Sequence, residues 1–277
     1  MSGSSAEAVQ VARDYYNSDD ADNFYYEIWG GEDIHIGLYR SEEESIAAAS
    51  MRTVATMALE LGAISTSTRI ADFGAGYGGS ARWLARTYGC HVSCVNLSEV
   101  QNERNRSMTA AVGLSGQIDV YDASFEKAPL EDNDFNHVWS QDSLLHAGHR
   151  RAVLDEVDRI LKPGGTFIFT DPMQSDNCPD GVLQPVLDRL HLETLGSIAW
   201  YRDEARKRGW QEAGVHDLTP QLINHYTRVR SNLAARREEL GGKISDAYFD
   251  RMIQGLGHWI DAGSNGYLAW GILQFRK

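Results

Sequence analysis

The sequence predicts an α/β fold built on a parallel, doubly wound sheet, and three features together predict it. Short apolar runs at 70–73, 91–96, 117–121, 135–141 and 166–170 alternate with stretches of helical spacing. The first run leads into Asp72-Phe73-Gly74-Ala75-Gly76-Tyr77-Gly78-Gly79, a glycine-rich turn that opens onto a helix. Gly74 and Gly76 let backbone approach a ligand closely, while Gly78 and Gly79 let the following helix pack tightly on the strand. Finally, Asp72, Asn96, Asp122 and Gln141 all fall at strand ends, the edge where such sheets bind ligands.

Taken in order, residues 6–18 read as a first helix that Asp19 to Asn23 breaks. Residues 24–39 are rich in aromatics, and Tyr25, Tyr26 and Trp29 have helical spacing; the segment is either a helix packed on the core or a lid over the glycine turn. Ser41 and Glu44 form a capping box for a helix over 42–61. Further helices are expected over 80–88, 102–112 and 150–161, the last stopped by Lys162-Pro163-Gly164-Gly165. Asn96 stands where a dinucleotide-binding unit has an acidic residue for the ribose, and an amide can both donate to and accept from a hydroxyl. Asp122 ends the third strand, placed to meet an adenine amino group. Beyond 175 the pattern is less regular: helices over 182–195, 201–208 and 222–239, a strand over 211–217 and a last strand over 267–275. Helices inserted before the final strands would cap the ligand edge.

Length and composition bound the chemistry. No Pro/Ser-rich seam or repeat divides the 277 residues, so one domain is expected, with an N-terminal lid over about 1–40. Its core would span about 41–175 and 210–277, with cap insertions over about 178–208 and 219–264. A net charge of −13 argues against nucleic acid or an anionic membrane as partner, since both need a positive field. It suits a salty cytoplasm and an ordinary acidic cytosolic enzyme nearly equally. No apolar run approaches a membrane span, and the start lacks the pattern of a signal peptide, so a cytoplasmic protein is expected. Cys90, Cys94 and Cys178 are too irregular for a zinc site or disulfide framework, and no metal is expected. Oligomeric state stays open.

The glycine turn, Asn96-Leu97-Ser98, Asp122-Ala123, the run Ser140-Gln141-Asp142-Ser143-Leu144-Leu145-His146 and Leu161-Lys162-Pro163-Gly164-Gly165 together resemble the class I S-adenosylmethionine-dependent methyltransferases. That resemblance implies a Rossmann-like sheet and S-adenosyl-L-methionine as cofactor. Asp72, Gly74, Gly76 and Asn96 would bind it, together with Gln101, Asp122, Ala123 and Gln141. Asn96 departs from the acidic residue most of the superfamily carries. The segment Trp29 to Gly37 and the tail Gly266 to Gly271 are similar to sarcosine/dimethylglycine N-methyltransferases, which make the osmoprotectant glycine betaine. The 140–146 run also resembles phosphoethanolamine methyltransferases, where a tyrosine and the final histidine close over the amine. By motif match these are Tyr26 and His146.

The implied chemistry is displacement at a sulfonium methyl by an aliphatic amine whose pKa of roughly 10 requires it to shed a proton first. His146 is the candidate acceptor, with a purely structural histidine as the alternative. Trp29 and Tyr201 supply aromatic faces for a quaternary ammonium, and Arg189 a planar fork for a carboxylate unless Asp188 neutralises it at the surface. The expected activity is methylation of a small amino-acid substrate, sarcosine and dimethylglycine. The alternatives are another small acceptor such as phosphoethanolamine, or cofactor binding without turnover.

Overall fold

The structure, a computed structural model, describes residues 13, 17–41, 43–190 and 192–277; most of the helix expected over 6–18 lies outside the described residues. Strand β1 (Arg69–Phe73) pairs in parallel with β2 (His91–Asn96) and β4 (Phe135–Gln141), so that Asp72 stands opposite Cys94 and Trp139. Beyond β2 lies β3 (Ile118–Asp122), and beyond β4 lies β5 (Leu161–Thr170). Two short strands, β6 (Met173–Gln174) and β8 (Leu268–Ala269), pair separately. The sheet closes with β9 (Gly271–Arg276), antiparallel to both β5 and β7 (Gln211–Asp217), giving the order β3-β2-β1-β4-β5-β9-β7. Strand order reverses between β1 and β4, and the crevice beyond their carboxyl ends is where such a sheet takes a ligand.

Helices cover both faces, as a doubly wound sheet requires. On one face α2 (Ile46–Glu60) and α3 (Gly79–Tyr88) bury Val54, Met57, Ala81 and Leu84 against Ile70, Val92 and Cys94. On the other, α5 (Arg150–Ile160) and α7 (Ile198–Lys207) pack Val153, Val157, Ile198 and Tyr201 on Phe167 and Phe169. Each such apolar side chain contributes roughly 1.5–3 kcal/mol when fully buried. Cys90 and Cys94 belong to the first layer, as core residues. A third cluster lies off the sheet: α6 (Gln184–Leu190), α8 (Thr219–Ala235) and α9 (Asp246–Ser264) pack against Ile28 and the N-terminal aromatics Phe24, Tyr25 and Trp29.

Four local expectations are corrected. Asp19 to Asn23 does not break a helix but begins α1 (Asp19–Phe24), because the Ser18 hydroxyl accepts from Ala21 N–H and acidic residues suit a helix N-terminus. A π-helical turn, Tyr25–Trp29, continues it. The cap of α2 is Ser45, whose Oγ accepts from Ala48 N–H, rather than Ser41; Glu44 instead pairs with Arg52. The strand expected over 267–275 is split at Trp270 into β8 and β9, and α9 was not foreseen within the cap.

Candidate active site

The site is a cleft at the carboxyl ends of β1, β2 and β4, with about 610 Å³ of empty space including its mouth. Gly74 and Gly76 form one wall, Asn96, Leu97, Ser98 and Gln101 a second, and Gln141, Asp142, Ser143 and His146 a third. Gly74 has φ +77°, and a Cβ there would strike the Ser143 hydroxyl. That close approach explains why glycine stands in the turn. Phe125 adds an apolar surface, stacked 6.1 Å from Phe73.

Ile34 and His35 close the cleft from above, in a segment of irregular backbone that side chains from distant elements hold in place. Ile36 N–H donates to Asp142 Oδ2 at 2.7 Å, Gly37 N–H to His225 Nδ1 at 3.1 Å and Tyr39 N–H to Gln221 Oε1 at 2.9 Å. The His35 and Ile36 carbonyls accept from Ser50 and Thr53, and the Leu38 carbonyl accepts from Arg52. Glu32 pairs with the buried Arg82 at 2.8 Å. With the backbone polar groups of 35–39 matched in this way, the segment is strapped across the cleft.

The polar groups of the site are buried, and burial sets their charge. Asp72 is pushed up to about 7 by burial and by the neighbouring Asp33, which is itself raised to about 6 by burial and by Glu32. Burial likewise raises Asp142 to about 6 and Asp171 to about 7, and lowers His35 to about 4, so that its ring is neutral. Gln141 Oε1 accepts from Ser80 Oγ at 2.6 Å and from Trp139 Nε1 at 3.0 Å, while its Nε2 has no partner.

Of the residues expected from sequence, Gly74, Gly76, Asn96, Gln101, Gln141 and His146 line this cleft together. Asp72 lies beneath it, buried, with Oδ2 unpartnered. Asp122 and Ala123 are not on its walls; the Asp122 carboxylate is held by Asn102 and Arg106, each at 2.6 Å. Tyr26 is not on the walls of this cleft either: it is 43% exposed, with the Arg104 guanidinium 4.6 Å from its ring. Trp29 is buried beside His225, their ring centroids 5.2 Å apart. Tyr201 is buried under the sheet edge, its hydroxyl donating to Asp171 Oδ2 at 2.8 Å; Asp171 Oδ1 in turn accepts from Leu145 N–H and fixes the turn that carries His146. Arg189 falls on α6, and its side chain lies outside the described residues. Sequence reading missed His35 and Asp142 as wall residues. The non-glycine φ of +51° at Asp142 is legible only in the fold.

Comparison with known proteins fits this geometry. Residues 71–169 match the methyltransferase domain family. The sarcosine/dimethylglycine N-methyltransferase of Aphanothece halophytica is 52% identical over 98% of this chain and 99% of its own, and that of Halorhodospira halochloris 54% identical over 98% and 97%. The chain belongs to the sarcosine/dimethylglycine N-methyltransferases. A solved chain from Galdieria sulphuraria, assigned as a sarcosine dimethylglycine methyltransferase, superposes on this enzyme with TM-score 0.90 at 40% identity, over 95% of this chain and 98% of its own.

The cofactor of this methyltransferase is therefore S-adenosylmethionine, and the residues present fit it. Asp72 Oδ2 and Gln141 Nε2 are an orphaned buried acceptor and donor on either side of the glycine turn, matching an ammonium and a carboxylate. Asn96 spends both amide hydrogens on Gln101 and Asn102, each at 3.1 Å, so what it offers a ribose hydroxyl is its oxygen. No group of metal-ligating side chains occurs among the described residues, and no helix among them is long and apolar enough to cross a membrane.

Proposed function

We propose that this methyltransferase converts sarcosine to dimethylglycine and dimethylglycine to glycine betaine. The carrying observation is identity above 50%, over nearly the whole chain, to enzymes named for those two acceptors, in a fold whose cleft is lined by a histidine. When bound, S-adenosylmethionine supplies an electrophilic methyl group on a sulfonium. The protein's part is to position the amine in line with it, exclude water and receive the amine's proton. His146, on the 3₁₀ turn Leu144–His146, lines the cleft and is the group placed for that transfer, directly or through one water. Two carboxylates nearby, Asp142 and the buried Asp72, are raised by burial to about 6 and about 7, and a cationic ligand entering the cleft would draw them towards their charged form. Among the described residues no lysine or arginine lines it, which disfavours a phosphate-bearing acceptor.

Turnover with S-adenosylmethionine and, separately, glycine, sarcosine, dimethylglycine and phosphoethanolamine tests the reading, with products identified by mass. Betaine from dimethylglycine is the expected outcome, and His146→Ala should lower that kcat about 100-fold or more. Product from phosphoethanolamine alone would overturn it.

A further inference from the structure

Three ring nitrogens in the strap region lack any partner although each residue is at least nine-tenths buried: His35 Nδ1, His225 Nε2 and Trp29 Nε1. Other buried side-chain atoms also lack partners, among them Asp72 Oδ2 and Gln141 Nε2 beside the glycine turn, but these three belong to rings gathered at the strap that closes the cleft, and such a group of orphans calls for an explanation. Their chemical roles are fixed by their neighbours. His225 Nδ1 accepts from the Gly37 N–H, so it is unprotonated and Nε2 carries the hydrogen. Trp29 Nε1 can only donate. The single hydroxyl proton of Ser80 goes to Gln141 Oε1, which leaves the Ser80 oxygen to accept from His35 Nε2 at 3.4 Å; the Gln141 backbone carbonyl accepts from the same ring. His35 Nδ1 is thus a bare lone pair. Burial keeps both histidines neutral.

The trio therefore offers two donors and one acceptor. His35 stands on the cleft wall, His225 is its electrostatic neighbour, and the Trp29 ring lies 5.2 Å from that of His225. An N-methylated α-amino acid in its zwitterionic form presents the complement one carbon apart: a carboxylate that accepts and, in dimethylglycine, a single N–H that donates. We propose that Trp29 Nε1–H and His225 Nε2–H hold the substrate carboxylate, and that His35 Nδ1 accepts the N–H of the protonated substrate as it first binds, before that proton passes to His146 and the freed lone pair turns to the methyl. This rests on the amino-acid reading above. It also carries a consequence for turnover: the quaternary product has no N–H, so it leaves the His35 lone pair unmet and is held less tightly than the substrate.

Calorimetric titration of the enzyme saturated with S-adenosylhomocysteine, using dimethylglycine and glycine betaine as ligands, tests the proposal. Trp29→Phe and His225→Asn, the latter keeping an acceptor for Gly37, should each weaken both ligands about ten- to hundredfold, the range for a lost hydrogen bond to a charged group. His35→Gln should weaken dimethylglycine by a similar factor and leave betaine within about twofold, a split that a merely structural role does not produce. The far-UV circular dichroism and the cooperativity of thermal unfolding should be unchanged throughout. A variant that loses them is misfolded, and the decision then rests on the remaining two. Wild-type enzyme that binds and methylates dimethylglycine while the variants bind it as well as wild type overturns the trio alone. Wild-type enzyme that binds neither amino acid overturns the trio and the function together.

Discussion

Asp33 and Asp72 face each other as buried carboxylates, each with an oxygen that no donor reaches. Asp33 sits at the start of α3, where a Cβ on Gly79 would collide with it. Its folded value of about 6 lies above the ordinary carboxylate range, chiefly because burial disfavours the charge. Stability from the protonated group is therefore complete below about pH 4 and is lost as pH rises through 6. Asp33→Asn should leave the ligand-free thermal midpoint nearly unchanged at pH 4 and raise it by pH 8, by an amount equivalent to about 2 kcal/mol. Equal midpoints at both pH values would show that the pair is not strained by charge. Residues of this kind were only half legible in the sequence. Asp72 was, because it adjoins a glycine turn of recognisable spacing. Asp33, His35 and His225 were not, because their roles come from burial and from partners on other elements, and a lone histidine or aspartate in a sequence carries neither.

The strap shows why irregular elements escape sequence reading. Residues 91–96 announce a strand by their own apolar run, and the structure places β2 there. Residues 32–39 announce no regular element, since several of their hydrogen bonds are supplied from Asp142, Gln221 and His225, more than 100 positions away. The aromatic spacing before it left helix and lid both open, and the segment divides between them, a π-helical turn followed by fixed extended chain. Gly37 is the close point of this element: a Cβ there would lie 2.6 Å from Ala49 Cβ and 2.8 Å from the Ala49 backbone. Gly37→Ala must push the strap off α2 and should cost about 1–3 kcal/mol, the usual range for overpacking. Differential scanning calorimetry would register this as a lower midpoint, and a raised KM for the amino acid should accompany it. An unchanged midpoint would mean that the strap yields freely.

At the scale of the whole molecule, two electrostatic effects oppose each other. A net charge of −13 repels itself, and salt relieves that repulsion. Ion pairs such as the cluster of Arg151, Lys207 and Arg208 around the buried Glu204 are weakened by the same salt. Exposed pairs are worth only about 0–1 kcal/mol each, so repulsion should dominate. The midpoint should rise by several degrees, about 3–8 °C, between 0.05 and 1 M KCl. A fall would show that the ion pairs dominate instead. The sheet topology has a consequence for biosynthesis. Strand β9 lies between β5 and β7, and β7 touches the sheet through no other strand. As the chain leaves the ribosome, β7 must wait, unpaired, while α8 and α9 are made and β9 follows them. Through that interval the aromatic faces of Phe167 and Phe169 lack their partner Phe275, and a chaperone that shields them would have its clearest task there.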